Sequence, residues 1–478
     1  MSTDVTQPRD EYIEQLPNVT KNRAAVAGQR AVRAGGTLYL QPLASMMHST
    51  VYVDGQQQLQ YSQTLTAEGR AKYNKYLHNA YFYGATGRTV SGLSGLISSK
   101  KPVVEIPSAI SYVEDDTNGK GQALRDFSTE AVNEAFTSVW SGILVARPET
   151  PEGTSRLDEE VNNLRPKLLH YKFESIINWN YSTINNVEKL SLLVLKEDTT
   201  TRDGFSIKKV SQYRVLELIE GVYHQSLYND MGVLLEPIMP VIFSGATSGE
   251  IPFYFIEAET KEKAVIDDLV DANFEHYNIY ADYGSKLHYS SFIIYYETGV
   301  MNGESNNMTI GNAVKWNGGE SSNFGVLQPD GNADSHRIAL QDTEQRMAAL
   351  GAEALKPRTS GAESAEAKSL DKIAQNSTTA NVALTVSIAI TKALTFANKL
   401  MGGTDTVLFE LNTDYNPTGM NSQDLTALVA AWQGGAISYS TFYDNLQKGE
   451  IASSERTSEE EQELIDTTGA DFEEVTEV

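Results

Sequence analysis

The apolar positions change period several times along the chain, and each change marks an element. Ala67, Tyr73, Tyr76, Leu77, Ala80 and Tyr81 recur at three- and four-residue spacing, which predicts an amphipathic helix capped by Thr66 and running to about Gly84. A second helix is expected over 90–98. A third is expected over 124–140, where Leu124, Phe127, Ala131, Ala135, Phe136, Val139 and Trp140 form one stripe. Between Leu168 and Ser248 the period shortens to two, predicting strands at 176–179, 189–196, 212–220, 222–227 and 241–243. Turn signals at Asp203-Gly204, Asn229 to Gly232 and Gly245 to Gly249 separate them.

Helical spacing returns over 257–283 through Ala264, Ile266, Leu269, Val270, Ala272, Phe274, Tyr277 and Tyr280. A strand at 292–296 follows, then a glycine-rich irregular insertion over about 299–334 with Trp316 and Phe324 as isolated aromatics. A helix over 335–354 ends in a loop at 355–361. In the next stretch Val382, Leu384, Val386, Ile388 and Ile390 alternate as in a strand. Ala-Glu-Ala-Lys at 365–368 and Lys-Ala-Leu at 392–394 flank that run, and no Gly or Pro interrupts 363–400, so a long helix is expected. A strand at 407–411, a turn at Asn416 to Gly419 and helices at 422–433 and 438–448 precede an acidic tail. Residues 1–60, with Gln56-Gln57-Gln58 and a small-residue run from Ala24 to Gly36, read as an arm without a fold of its own. The class is α+β.

Charge adds the next constraint. The 478 residues hold 38 Lys+Arg against 63 Asp+Glu, a net charge of −25. Residues 453–478 contribute ten acids and one base, or −9, which leaves −25 − (−9) = −16 for the rest. Sequence-independent affinity for nucleic acid comes from phosphate neutralisation by Lys and Arg, so a dedicated DNA-binding surface is not expected. Cysteine is absent, which removes disulfides, thiolate metal sites and cysteine nucleophiles. The first residues carry no basic region followed by an apolar run, so no secretory signal is expected. The most apolar stretch, 233–243, is too short for a span and holds Glu236, Pro237 and Pro240, so no membrane segment is expected.

Motifs for chemistry fail one by one. Gly119-Lys120 is followed by Gly121, which breaks a phosphate-cradling loop. Gly84, Gly87, Gly92 and Gly95 lack dinucleotide spacing. Seven histidines are scattered singly, with no zinc spacing. Two calcium-like runs, Glu114 to Gly119 and Asp330 to Asp334, have Arg125 and Gln341 where a bidentate Glu is needed. No nucleophile elbow is present. No catalytic residue, metal or cofactor is therefore expected, and the chain is not expected to be an enzyme.

Several stretches together resemble tailed-bacteriophage portal proteins, the head–tail connectors. They are Tyr81-Phe82 with Ala85-Thr86, Arg88-Thr89-Val90 and Gly92-Leu93; Arg165-Pro166 before Tyr171 and Ile176-Ile177-Asn178-Trp179; Asp267-Asp268-Leu269 with Asn273 and His276-Tyr277; and Gly435 with Ile437-Ser438 and Thr441-Phe442. The order helix, glycine-rich insertion, helix, basic loop, long helix and helical acidic end is similar too, and the likeness spans about 60–465.

The resemblance implies a portal fold with an N-terminal arm (1–60), a wing of helices and β-rich platform (61–256), stem helices (257–283 and 335–354) around a clip (284–334), a tunnel loop (355–363), a long wing helix and strand (364–415) and a helical crown with acidic tail (416–478). It implies a ring of about twelve copies at one capsid vertex, made in the bacterial host cytoplasm. Double-stranded DNA would be packaged through it and later ejected. Expected partners are further copies of the chain, the terminase large subunit, adaptor or tail proteins, major capsid protein and scaffold, and double-stranded DNA held non-specifically, with no membrane. Lys356, Arg358, Thr359 and Ser360 would lie by the DNA in the tunnel loop, and Asn306, Trp316 and Phe324 in the clip would dock terminase and adaptor. Twelve copies at −25 give −300 around a polyanion, so the conduit would repel its cargo except at the Lys356 and Arg358 rings. The competing expectation is another virion structural protein, a tail or capsid subunit without a DNA channel.

Overall fold

The computed structural model describes residues 4–53, 56–61, 64–148, 162, 164–184, 186–243, 246–259, 262–291, 294–298, 323–327, 332–352, 365–415, 422–449, 451–453 and 456–473. The chain divides into two compact units, Met1–Thr413 and Asp414–Val478.

The first unit opens with helix α1 (Asp10–Ala27), the short α2 (Gln29–Gly35), a hairpin of β1 (His48–Val53) and β2 (Gln56–Tyr61), and helices α3 (Ala67–Asn79) and α4 (Ala85–Ile97). Strand β3 (Val103–Glu105), helix α5 (Leu124–Thr137) and strands β4 (Trp140–Ala146), β5 (Lys167–Tyr171), β6 (Ile176–Ile184), β7 (Val187–Asp203) and β8 (Ser206–Ile219) follow. Next come β9 (Val222–Asn229), β10 (Leu234–Pro240), β11 (Ile242–Phe243), β12 (Ala246–Thr247) and β13 (Phe253–Glu257). Helix α6 (Asp267–Ser290), strands β14 (Ile294–Thr298) and β15 (Asn323–Leu327), helices α7 (Asp334–Met347) and α8 (Ala365–Leu400), and strand β16 (Leu408–Glu410) complete it. The second unit holds α9 (Ser422–Gln433), α10 (Tyr439–Lys448) and α11 (Ser458–Glu473). The fold is α+β.

The larger sheet is an antiparallel meander in the order β10-β9-β8-β7-β6, and a second sheet runs β13-β4-β5. Strand β4 is buried from Trp140 through Val145. A strand covered on both faces has no alternation to display, which is why the 124–140 stripe reads as one helix when the helix stops at Thr137. Helix α3 begins as expected, with Thr66 accepting a hydrogen bond from the Gly69 N–H at 3.0 Å, but it stops at Asn79. Strand β13 ends at Glu257, the expected start of the helix, and α6 begins only at Asp267. Helix α7 gives way at Ala348–Ala352 to a π-turn whose Gly351 has φ 114°, a conformation that favours glycine.

Helix α8 settles the ambiguous run. Val382, Val386 and Ile390 are buried at four-residue spacing, while Leu384 and Ile388 are 49% and 54% exposed. The alternation is thus two helical stripes interleaved. By length and hydropathy Ser377–Leu400 is the one described segment that would suffice to cross a membrane, with 56% of its most apolar window buried inside the fold. Against expectation, this stretch outranks 233–243, where β10 is exposed along its whole length.

The first sixty residues are the main correction. Instead of an arm without a fold they form α1, α2 and a hairpin, and α1 buries Tyr12, Gln15, Val19 and Asn22 along one face. Two of those four positions are amides held by hydrogen bonds, Gln15 to the Glu262 carbonyl at 2.7 Å and Asn22 to the Thr137 carbonyl at 3.0 Å. Pro17 also sits inside the helix. Apolar periodicity and helix propensity are both broken, so the helix is invisible to either test.

In the second unit, Trp432 of α9 stacks on Phe442 of α10 with centroids 4.8 Å apart. Ser438 caps α10 by accepting from the Thr441 N–H at 3.2 Å. Glu459, Glu460 and Glu461 occupy the first turn of α11, where the helix dipole favours negative charge.

Candidate functional site

Helices α6 and α7 form an antiparallel pair. Leu269 and Ala272 of α6 pack with Met347 in one cluster with Ala85 of α4. Further along, Glu275 pairs with Arg346 at 2.7 Å and His276 meets Glu344 at 3.4 Å, so positions rise on one helix as they fall on the other. Aromatic rings collar the first half of α6. Phe82 lies 5.4 Å from Phe274 and 5.7 Å from Tyr277, Tyr39 lies 5.0 Å from Phe274, and Tyr81 lies 5.7 Å from Tyr280. The Tyr81-Phe82 pair therefore has a packing role.

Asn273, His276 and Tyr277 are buried on α6. Asn273 donates to the Tyr83 carbonyl at 2.8 Å, while its Oδ1, the Nδ1 of His276 and the hydroxyl of Tyr277 have no partner among the described residues. Burial holds His276 below the ordinary imidazole value, against the opposing pull of Glu344. Buried polar groups without partners cost free energy, so this seam is less cohesive than an apolar one of the same area.

The start of α6 is tied to the N-terminal helix. Asn22 donates to Asp267 at 2.6 Å, Lys21 pairs with Asp271, and Asp267 accepts from the Ala264 N–H at 2.9 Å. The next residue, Arg23, is clamped by two glutamates. It reaches Glu134 at 2.6 and 2.7 Å and Glu174 at 2.7 and 2.8 Å. Glu134 is 3% exposed and Glu174 42%. Burial would raise Glu174, but the hydrogen bonds from Arg23 hold it below the ordinary carboxylate value. Beside the clamp lies a cleft of about 590 Å³ bordered by Arg23, Asp126, Glu130, Glu134 and Lys172. Arg23 donates to both oxygens of Glu134 and of Glu174. The arrangement is a fastening for α1. His170, half-buried and edge-on to Phe127 with centroids 6.0 Å apart, is held below its ordinary value by desolvation. Among the described residues no group of three metal-ligating side chains comes together.

Of the residues singled out in sequence, Lys356, Arg358, Thr359 and Ser360 lie outside the described residues, as do Asn306 and Trp316. Phe324 sits on β15, its backbone opposite Glu297 of β14. Neither the clamp nor the His276–Glu344 contact carries a sequence signal, because their members lie 68 to 151 residues apart.

Comparison with known proteins adds three findings. A family model described as a domain of unknown function, DUF4055, matches residues 266–401, which covers α6 through α8. No curated protein matches. Among solved structures the chain is similar to one described as the neck of an empty GTA particle computed with C6 symmetry. The identity is 12%, the match covers 80% of this chain and 93% of that one, and the TM-score is 0.36.

Proposed function

We propose that this chain is a virion structural protein of the connector type, a portal subunit. What supports the reading is the arrangement around α6 and α7. Two antiparallel helices are joined through the β14–β15 hairpin, and after α7 the chain continues into the 36-residue α8. In this reading α6 and α7 are the stem, the segments between them the clip, and 355–363 the tunnel loop. About twelve copies form a ring at a capsid vertex, with terminase, adaptor or tail proteins meeting Asn306, Trp316 and Phe324, and capsid protein and scaffold meeting the wing. The chain does no covalent chemistry. Its net charge of −25 keeps duplex DNA from adhering, and Lys356, Arg358, Thr359 and Ser360 touch phosphates transiently.

Negative-stain electron microscopy with mass by light scattering tests the proposal. Rings of about twelve subunits with a channel of about 20 Å or more, wide enough for a duplex, are expected. Filaments or closed shells of another symmetry would replace it with the tail- or capsid-subunit reading. Lys356→Ala with Arg358→Ala is expected to shorten packaged DNA or impair its retention, and unchanged length and retention would remove the tunnel-loop role.

A further inference from the structure

Strands β7 and β8 outrun their sheet. Strand β6 follows β7 only as far as Leu195, and β9 follows β8 only from Gln212. The six rungs from Asp198↔Ser211 to Asp203↔Ser206 therefore stand alone as a two-stranded ribbon, about 20 Å long at ~3.4 Å per residue. Every residue from 200 to 210 is exposed, and a ribbon bare on both faces is marginal in water. At its tip Phe205 is wholly exposed and Ile207 71% exposed, large apolar groups that nothing among the described residues covers.

Charge indicates what covers them. In a chain of −25, the ribbon from 198 to 211 carries Arg202, Lys208 and Lys209 against Asp198 and Asp203, with Lys208 paired to Asp203 at 2.9 Å. The opposite character appears next in sequence. Between Arg214 and Lys261 there are seven Asp or Glu and no Lys or Arg, and within that span the edge strand β10 exposes Leu235, Ile238 and Met239 beside Glu236. Pro237 and two register shifts against β9 spoil β10 as a template for strand addition, so its apolar side chains are what it offers. The ribbon cannot reach its own β10. The β9–β10 turn lies at the ribbon's base, where Asn229 pairs with Gln212, and the tip extends away from it.

We propose that the β7–β8 ribbon docks on the β10 edge of a second copy of this chain, with Phe205 and Ile207 against Leu235, Ile238 and Met239, and the basic tip against Glu236. The contact uses two different surfaces, so it is head-to-tail and propagates around a ring when the rotation closes. It deepens the ring reading above by naming the surfaces through which neighbours meet.

Because the chain has no cysteine, single cysteines report the contact cleanly. Ser206→Cys and Leu235→Cys full-length chains are mixed and treated with a short bis-maleimide, and the mass of the untreated wild-type chain is measured in parallel. The expected result is a covalent pair containing one of each variant. Ser206→Cys alone should give none, and adding Phe205→Asp to the Ser206→Cys chain should lower the yield by about tenfold or more, as truncating a central anchor does. Tip-to-tip linkage by Ser206→Cys alone overturns the proposal, as does a yield indifferent to Phe205→Asp. Wild-type rings without the mixed pair, with Ser206→Cys open to reagent, would assign the tip to another virion partner and leave the ring reading standing. Single chains with no linkage at any concentration overturn both.

Discussion

Replacing Arg23 by Met removes the guanidinium while keeping the aliphatic stem. Five hydrogen bonds disappear, two to Glu134, two to Glu174 and one to the Thr137 hydroxyl at 3.3 Å. Glu134 stays 3% exposed with the Phe173 N–H at 3.3 Å as its remaining donor. Removing one partner of a buried ion pair costs about 3–5 kcal/mol. Arg23 is 31% and Glu174 42% exposed, so solvent screens part of the effect and the low end, about 3 kcal/mol, is expected. At ~1.4 kcal/mol per decade, local opening of α1 becomes roughly a hundredfold more frequent. Hydrogen exchange read by mass spectrometry on peptides from 10–27 measures this directly, with peptides from β7 to β9 as internal control. The Arg23→Met, Glu134→Gln, Glu174→Gln triple variant should recover most of the protection, since no buried charge is then left unpaired. A rise in α1 exchange below about fivefold, ~1 kcal/mol, would refute the fastening role. So would a triple variant that opens more than the single one. The clamp also carries a pH signature. Glu174 is depressed in the folded state, so its contribution is present above the ordinary value of 4.5 and is lost as pH falls through the folded value. That acid loss should shrink in Arg23→Met.

Three further outcomes are expected. Thr66→Ala removes the cap of α3 and should cost about 1 kcal/mol in urea unfolding of the first unit. Gly69→Ala, favourable in a free helix, would place its Cβ 1.7 Å from the Met46 carbonyl oxygen, so a net loss of about 1–3 kcal/mol is expected from the same measurement. Burial depresses His276, faced by Glu344, Tyr83 and Tyr280; stability therefore falls as pH drops from the ordinary 6.5 through the folded value, and thermal melts of His276→Phe should lose that slope.

Legibility in sequence followed local chemistry. Thr66 announces α3 because a cap acts over three residues, and Asp203-Gly204 and Gly232 announce turns because φ 61° and 73° suit glycine. Strand β4 and helix α1 were hidden for opposite reasons, one being apolar on both faces and the other burying amides where leucines would be recognised. The bulges in β10 have no local signature, since they depend on pairing with β9. Within the candidate site the helices of the 266–401 region were readable from their stripes. The contacts that fasten them were not, because Asn22 and Asp267 are strangers until the fold brings them together.

That separation sets an order of events during synthesis. Helix α1 leaves the ribosome early, yet Arg23 must wait 111 residues for Glu134 and 151 for Glu174, and Asn22 waits 245 for Asp267. At about 5–20 residues per second the last of these takes roughly 10–50 s. Throughout that interval a helix with amides on its buried face and an internal proline has little to hold it, so α1 is made before the residues that fasten it and is secured only after them. Until then Glu134, 3% exposed in the finished fold, lacks the Arg23 guanidinium that pairs with it there.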